Sequence, residues 1–408
     1  MEFKFLGGAT EVGKLGMVYR DGPATLLFDY GLLPKDPPEF PLPAPPVDAV
    51  FVSHSHLDHI GMVPWICSRQ DVDVIATPPT FEVGDLLLQD SIKIAGLEGY
   101  VSPYTDRELR HTRRFFRAVD HRDTLEIQGR EGTLHPAGHI PGATMFEING
   151  PKTVLFSGDL HTLTTDLVWG AQPVKCDVLV LESTYAGRNH PDREKSAFLF
   201  LKKIEDVRNR GGFVIVPAFA VGRTQDILLA LLHKHFDVWL DGMGKSVNSI
   251  YSDHPEYLRG VKRLRQAMSR VHVVRNQRQR SQALKADVVV CTSGMLDGGP
   301  VVQYLGAVRD DPRSAVLLTG YQVPGTQGRR LLDEGVISLN GQDVRPRFEL
   351  QKFDFSAHAG HDELVRFIEG CDPETVVLMH GDNREALASA VEGRKFILPR
   401  EGEWFSPG

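Results

Sequence analysis

Residues 54–59 read His54-Ser55-His56-Leu57-Asp58-His59 and follow directly on the apolar run DAVFVS. Three imidazoles and a carboxylate within six residues exceed what one tetrahedral metal can take from so tight a turn. Histidine nitrogen and carboxylate oxygen are the donors suited to zinc and its borderline neighbours. On a loop, alternate side chains project to opposite sides. His54 and His56 can therefore serve one metal while Asp58 and His59 serve a second beside it. Two metals need more ligands than this turn holds, so the chain has to fold back on it.

Later strand-like runs supply candidates. His139 sits in HPAGHIPGA, Asp159 in FSGD and His380 in LMHGD, and Asp159 has the two carboxylate oxygens that bridging two cations requires. Through the first 185 residues, short apolar runs alternate with turns: FKFLGG, ATLLFDYG, DAVFVSH, TVLFSGD, DVLVLEST. Several end in a polar residue able to do chemistry, namely Asp29, His54, Asp159 and Glu182. Open α/β sheets carry ligands at the carboxyl ends of their strands, so the pattern predicts an active-site edge.

From about Gly187 the rhythm changes. REKSAFLFLKKIEDVRNRGG has helical spacing with a glycine stop. FVIVPA, DVWLDG, VHVV, DVVVCT and AVLLTGY read as buried strands separated by helical segments such as TQDILLALLHKHF, which predicts a parallel sheet. After about Arg345, FELQKFDFSAH and TVVLMHGD again end in histidines, His358 and His380. The expected organisation is an α/β catalytic domain split between 1–186 and 346–408, with a second α/β domain inserted at 187–345.

Composition bounds the remaining possibilities. At 408 residues, with 41% hydrophobic and 24% charged, the chain is that of an ordinary globular protein with two or three domains. The four cysteines lie far apart with no CxxC pair, which excludes a cysteine zinc ribbon and does not fit a disulfide framework. No apolar run reaches the roughly 18 residues that span a bilayer, and the amino terminus lacks a signal pattern, so a cytoplasmic location without membrane contact is expected. A net charge of −7 argues against a wholly basic nucleic-acid coat, yet Arg259 to Arg280 holds eight basic residues and no acid. Within this local positive region Arg275, Arg278 and Arg280 are candidate phosphate contacts. Arg223 in VGRTQD and Arg329 in GTQGRR are two more, each beside glycine at a helix start. DGMGKS at 241–246 is no phosphate loop, because Trp239 stands where that pattern needs glycine. The proline-rich stretch 34–47 must be an extended surface loop.

HSHLDH matches the HxHxDH motif of the metallo-β-lactamase superfamily. LESTY around Glu182, PAFAVGRTQ at 217–225, SGMLDGGP at 293–300, GYQVPGTQGR at 320–329, FSAH at 355–358 and LMHGD at 378–382 resemble its β-CASP nuclease branch. The resemblance runs along nearly the whole chain, in the family's motif order. It implies an αββα metallo-β-lactamase sandwich with an inserted parallel-sheet β-CASP domain. It also implies two Zn2+ per chain, the first held by His54, His56, His139 and Asp159, the second by Asp58, His59, His380 and the shared Asp159. Asp29 corresponds to an acid that orients ligating histidines from behind. Glu182 and His358 correspond to the acid and the histidine of two further family motifs. TYA at 184–186 departs from the commoner TYG, and a chain of this kind is expected to lack the KH extension and the extra carboxyl-terminal domain of some family members.

Two zinc ions about 3.5–4 Å apart lower the pKa of a shared water and polarise a phosphoryl group. Protonation of the leaving oxygen then falls to His358, with Glu182 as its hydrogen-bond partner; with Asp58 these form the candidate catalytic set. The expected function is hydrolysis of single-stranded RNA, by internal cutting or 5′→3′ trimming. The alternatives are a metallohydrolase of a small ester or thioester and an inactive RNA-binding scaffold. By analogy, the carboxyl-terminal tail closes the core or pairs with a second subunit.

Overall fold

Phe3 and Phe5 stand two residues apart on strand Glu2–Gly7, so they leave the same face of the pleat, and both are fully buried. The same alternation operates along two seven-stranded sheets. One runs in the order Trp404–Phe405, Glu2–Gly7, Gly16–Asp21, Ala24–Phe28, Ala49–Phe51, Asp73–Ala76 and Phe116–Ala118. The other runs Lys395–Ile397, Thr375–Met379, Val178–Glu182, Val154–Phe156, Thr144–Asn149, Arg130–Pro136 and Thr124–Ile127. Their apolar faces meet in one core, where Phe3, Phe5, Tyr19, Phe28 and Phe51 pack with Leu134, Phe146, Phe156, Val180 and Met379. Behind the first sheet, Ile66, Leu88 and Leu109 come from helices Val63–Cys67, Pro78–Glu98 and Asp106–Thr112. Helix His361–Cys371 buries Leu364, Phe367, Ile368 and Cys371. This is an αββα sandwich.

The structure, a computed structural model, describes residues 1–35 and 37–408; Asp36, inside the proline-rich 34–47 stretch, lies outside the described residues. Apart from one bridge between Leu33 and Glu39, the described part of that stretch has neither helix nor strand. Among the described residues, no helix is long and apolar enough to cross a membrane. The chain divides into two units, residues 1–189 with 358–408 and residues 190–357. The first is the sandwich.

The second unit is a six-stranded sheet in the order His272–Val273, Val238–Asp241, Val288–Cys291, Val214–Pro217, Ala315–Leu318 and Glu349–Lys352, with every pairing parallel. Its strands read as continuous apolar runs because both faces are covered. Val214, Val216, Val288 and Val290 face Phe200, Ile204 and Ile227, while Ile215, Val289 and Val316 face Tyr304, Leu305 and Leu331.

Topology decides where the chemistry sits. Ala24–Phe28 and Ala49–Phe51 are parallel, as are Val154–Phe156, Val178–Glu182 and Thr375–Met379. Their carboxyl ends therefore share an edge within each sheet, and there the chain continues into Asp29, His54, Asp159 and His380, with Glu182 closing its own strand. The 54–59 turn is not wholly loop: Leu57–Ile60 closes a helical turn, so Asp58 and His59 leave from a helix start.

Phe28 ties the two sheets together, with its ring 5.1 Å from Phe51, 5.0 Å from Phe156 and 6.0 Å from Phe146. Phe28→Ala is expected to lower stability by about 3–5 kcal/mol in urea unfolding, the cost of a large cavity in a packed core. A loss below about 1 kcal/mol would show that the core can close over the gap.

Candidate metal centre

Four side chains from three stretches of chain converge on one point. His54 Nε2 is 3.0 Å from His56 Nδ1, which is 3.2 Å from His139 Nε2. Asp159 Oδ2 lies 3.5 Å from His54 Nε2 and 3.7 Å from His139 Nε2. A tetrahedron with metal–nitrogen bonds of about 2.0–2.1 Å has edges of about 3.3 Å, so the spacing is that of ligands around a small cation. A second set meets at the other carboxylate oxygen. Asp159 Oδ1 is 3.4 Å from His59 Nε2 and 3.2 Å from His380 Nδ1, and Asp58 Oδ2 is 3.7 Å from His380 and 3.9 Å from His59. His54, His56, His139 and Asp159 lie within the reach of ligands around one metal, as do Asp58, His59 and His380 by themselves, and Glu182 stands within the same reach of Asp159 and His380.

The donor set also fits by what it leaves unmade. His59 Nε2 and Asp159 Oδ1 are buried and have no hydrogen-bond partner among the described residues, although they face each other. Buried polar groups normally find partners. Atoms that point at one spot without bonding to one another are arranged as ligands are.

The remaining ring nitrogens are held from behind. Asp29 is fully buried; its Oδ1 accepts from the Ser53 amide at 2.6 Å and its Oδ2 from the Ser53 hydroxyl at 2.7 Å. Oδ2 also lies 2.7 Å from His59 Nδ1, which must donate, so Nε2 is the nitrogen turned inward. The serine hydroxyl has given its proton to Asp29, so at 3.1 Å it can only accept from His54 Nδ1. One serine thus sets the tautomer of His54 and shares Asp29 with His59. Ser53 is legible only in the fold, since a serine at a strand end carries no signal until the turn aims it. Gly158, with φ +54, packs against it, and a Cβ there would sit 2.6 Å from the Ser53 Cβ.

Asp29 and His380 both adopt left-handed backbone, φ 54 and φ 53, a conformation costly for non-glycine residues and concentrated at functional sites. His380 is pinned there by its own amide, which donates to the Gly8 carbonyl at 2.8 Å. Glu182, also fully buried, accepts from the Leu160 and Thr184 amides at 2.9 Å and 3.1 Å. Its Oε1 is 3.0 Å from His358 Nδ1, so that nitrogen donates and Nε2 faces the cluster, 3.9 Å from Asp159 Oδ2.

The two ligand sets differ in charge. Burial, with the charge of neighbouring His59, drives His54 well below the ordinary histidine range, and burial takes His56 down to about 4. Both are neutral and offer lone pairs. Burial also opposes charge on His59 and His380, but Asp159 and neighbouring acids outweigh it, raising His59 well above its usual value and His380 to about 9. Without a cation, protons on these two rings balance Asp58 and Asp159, whose carboxyls the histidines hold low against the penalty of burial.

The structure therefore brings together His54, His56, Asp58, His59, His139, Asp159 and His380, with Asp29, Glu182 and His358 against them. The five arginines belong to the other unit. Arg275 and Arg278 are exposed at the start of helix Gln277–Ala283. Arg280 instead forks onto buried Asp241 at 2.6 Å and 3.1 Å, where Tyr304 also donates, so its guanidinium is committed to an internal ion pair. Arg223 donates to the Thr319 carbonyl at 2.6 Å, and Arg329 pairs with Asp333 at 2.6 Å. The amides at these helix starts are occupied as well: Thr224 donates to Phe219, Gln327 to Asp297 and Gly328 to Met295.

Residues 14–203 match the metallo-beta-lactamase superfamily, 224–331 the Beta-Casp domain, and 343–396 the Zn-dependent metallo-hydrolase RNA specificity domain. The chain is 34% identical to a probable RNase MJ4 of Methanocaldococcus jannaschii, covering 99% of each chain. It is also 34% identical to RNase aCSPSF2 of Saccharolobus solfataricus, over 99% of this chain and 85% of that one. A crystal structure of a protein of unknown function from Enterococcus faecalis shares the fold, with a TM-score of 0.64 at 15% identity over 99% of both chains.

Removing the acid behind the ligands should loosen the site without emptying it. Asp29→Asn is expected to weaken metal affinity about 10–100-fold, read by competition with a chromophoric chelator. A histidine that holds a proton must release it to bind a cation. Metal uptake by chelator-stripped protein should therefore release protons at neutral pH, and affinity should climb as pH rises through about 9, where His380 gives up its proton. Calorimetry in buffers of different ionisation enthalpy measures this, and uptake without proton release would contradict it.

Proposed function

We propose that this chain, which belongs to the metallo-β-lactamase superfamily and within it to the β-CASP ribonuclease family, hydrolyses phosphodiester bonds of single-stranded RNA at this centre. The observation that carries the reading is Asp159, which turns one carboxylate oxygen to each of two ligand sets. His54, His56, His139 and Asp159 would hold one zinc ion, and Asp58, His59, His380 and Asp159 the other. When bound, such ions neutralise charge on a phosphoryl group and make water nucleophilic at neutral pH. RNA as the substrate is supported by the matched RNA specificity domain and by two relatives named as RNases.

The chain's own residues supply the proton traffic. His358 keeps its Nδ1 proton on Glu182, so as an imidazolium it offers Nε2–H to the departing oxygen. Burial disfavours that charged form, yet Glu182 and Asp159 more than offset it and raise His358 above the ordinary histidine value. Glu182 acts through His358: with three donors converging on its carboxylate it fixes the ring's tautomer and direction. Asp58, kept ionised by His59 and His380 in spite of its burial, offers the attacking water a hydrogen-bond acceptor. Asp29 and Ser53 keep the ligating rings in register.

The test uses a long RNA labelled separately at each end. Products from both ends at intermediate lengths mean internal cutting, and mononucleotides from the 5′ end mean trimming. His358→Ala should keep its metal content while kcat falls about 10²–10⁴-fold, the usual worth of a positioned general acid. Unchanged turnover in that variant would remove His358 from the mechanism, and absence of any cleavage by the metal-loaded wild type would remove the function.

A further inference from the structure

The segment that leaves Asp159 carries two large apolar side chains into solvent. Leu163 is 48% exposed and Trp169 51% exposed. The backbone beneath them is tightly built. The Thr165 hydroxyl accepts from the Leu167 and Val168 amides, both at 3.1 Å, and the Thr164 hydroxyl from the Gly170 amide at 3.1 Å. The Ala171 amide donates to the His161 carbonyl at 2.8 Å, and the His161 amide to the Ala137 carbonyl at 3.0 Å.

Two glycines allow this packing. A Cβ on Gly170 would sit 2.0 Å from the Thr162 carbonyl oxygen and 2.8 Å from the Leu163 carbonyl carbon, so the two exposed side chains spring from adjoining backbone. A Cβ on Gly138 would sit 2.1 Å from the His161 carbonyl oxygen and 3.1 Å from the Gly170 Cα. Gly138 immediately precedes His139. With about 3.8 Å between consecutive Cα atoms, the Trp169 Cα lies within about 12 Å of the His139 Cα.

A scattered exposed apolar residue is ordinary. An indole on an ordered loop that is keyed to a ligand-bearing turn is a preformed flat surface at fixed range from the reacting centre. Unpaired nucleobases present flat faces of matching size, and stacking them on aromatic side chains is tolerant of sequence. We propose that Trp169, flanked by Leu163, is a stacking platform for a nucleobase of the single strand, within a few nucleotides of the cleaved bond. This rests on the ribonuclease reading above and adds to it the residue that grips the base rather than the phosphate.

The test compares Trp169→Ala and Trp169→Phe with wild type, as full-length zinc-loaded protein. It reads KM and kcat on oligouridylate, and Kd for a phosphorothioate-linked oligouridylate at several salt concentrations. Trp169→Ala should raise KM and Kd roughly five- to a hundredfold, the usual worth of one stacked base. The slope of log affinity against log salt should stay as in wild type, because no phosphate contact is lost. Trp169→Phe should recover most of the affinity. An unchanged Kd in Trp169→Ala, a flattened salt slope, or no rescue by phenylalanine would overturn the platform. If the wild type binds the oligonucleotide yet releases no product, hydrolysis fails while the binding series still decides the platform; a wild type that binds no RNA overturns both.

Discussion

Carboxyl and imidazole groups do not gather inside a protein without something to hold there, because each loses its hydration on burial. Here Asp159 is buried with His54, His59, His139 and His380 around it, and its two oxygens address different neighbours. His59 and His380 carry raised pKa values whereas His54 and His56 carry lowered ones, so without a cation the charge of the buried acids is met by protons on one side of the site.

The sandwich solves the placement problem with parallel strands and a few unusual backbone positions. Parallel pairing brings carboxyl ends of strands that are remote in sequence to a common edge, and the aromatic core around Phe28 clamps the two sheets that own those edges. Left-handed backbone at Asp29 and His380 then turns each chain sharply at the strand end. Ser53 completes the arrangement by joining Asp29 to two imidazoles through one hydroxyl. Rings locked in this way lose less freedom on taking a cation than free histidines would.

The inserted unit follows a simpler rule. Its parallel strands are apolar on both faces, and helices cover both. Basic residues there divide by burial: Arg280 is drawn inward by buried Asp241, whereas Arg275 and Arg278 remain at the surface. Charge counted along a sequence overstates a phosphate-binding patch wherever an acid distant in sequence has already claimed a guanidinium.

Residues 54–59, the apolar runs ending in polar groups and the change of rhythm near Gly187 were enough to read a split α/β domain, an insertion and a set of ligand candidates, because metal donors and buried parallel strands are restricted in type and spacing; the αββα sandwich itself was implied by the family's motifs. The antiparallel strands Gly16–Asp21 and Arg130–Pro136 and the long helix Pro78–Glu98 escaped that reading; their residues are apolar only in part, and tertiary burial rather than local pattern selects them. Composition likewise says nothing of Ser53 or Trp169. What a serine at a strand end does depends on where the next turn points it, and what a tryptophan on a loop does depends on what the loop is keyed to. Sequence alone decides which atoms are on offer; only the folded chain decides which of them face one another, since distances between remote segments are set by how the sheets pack.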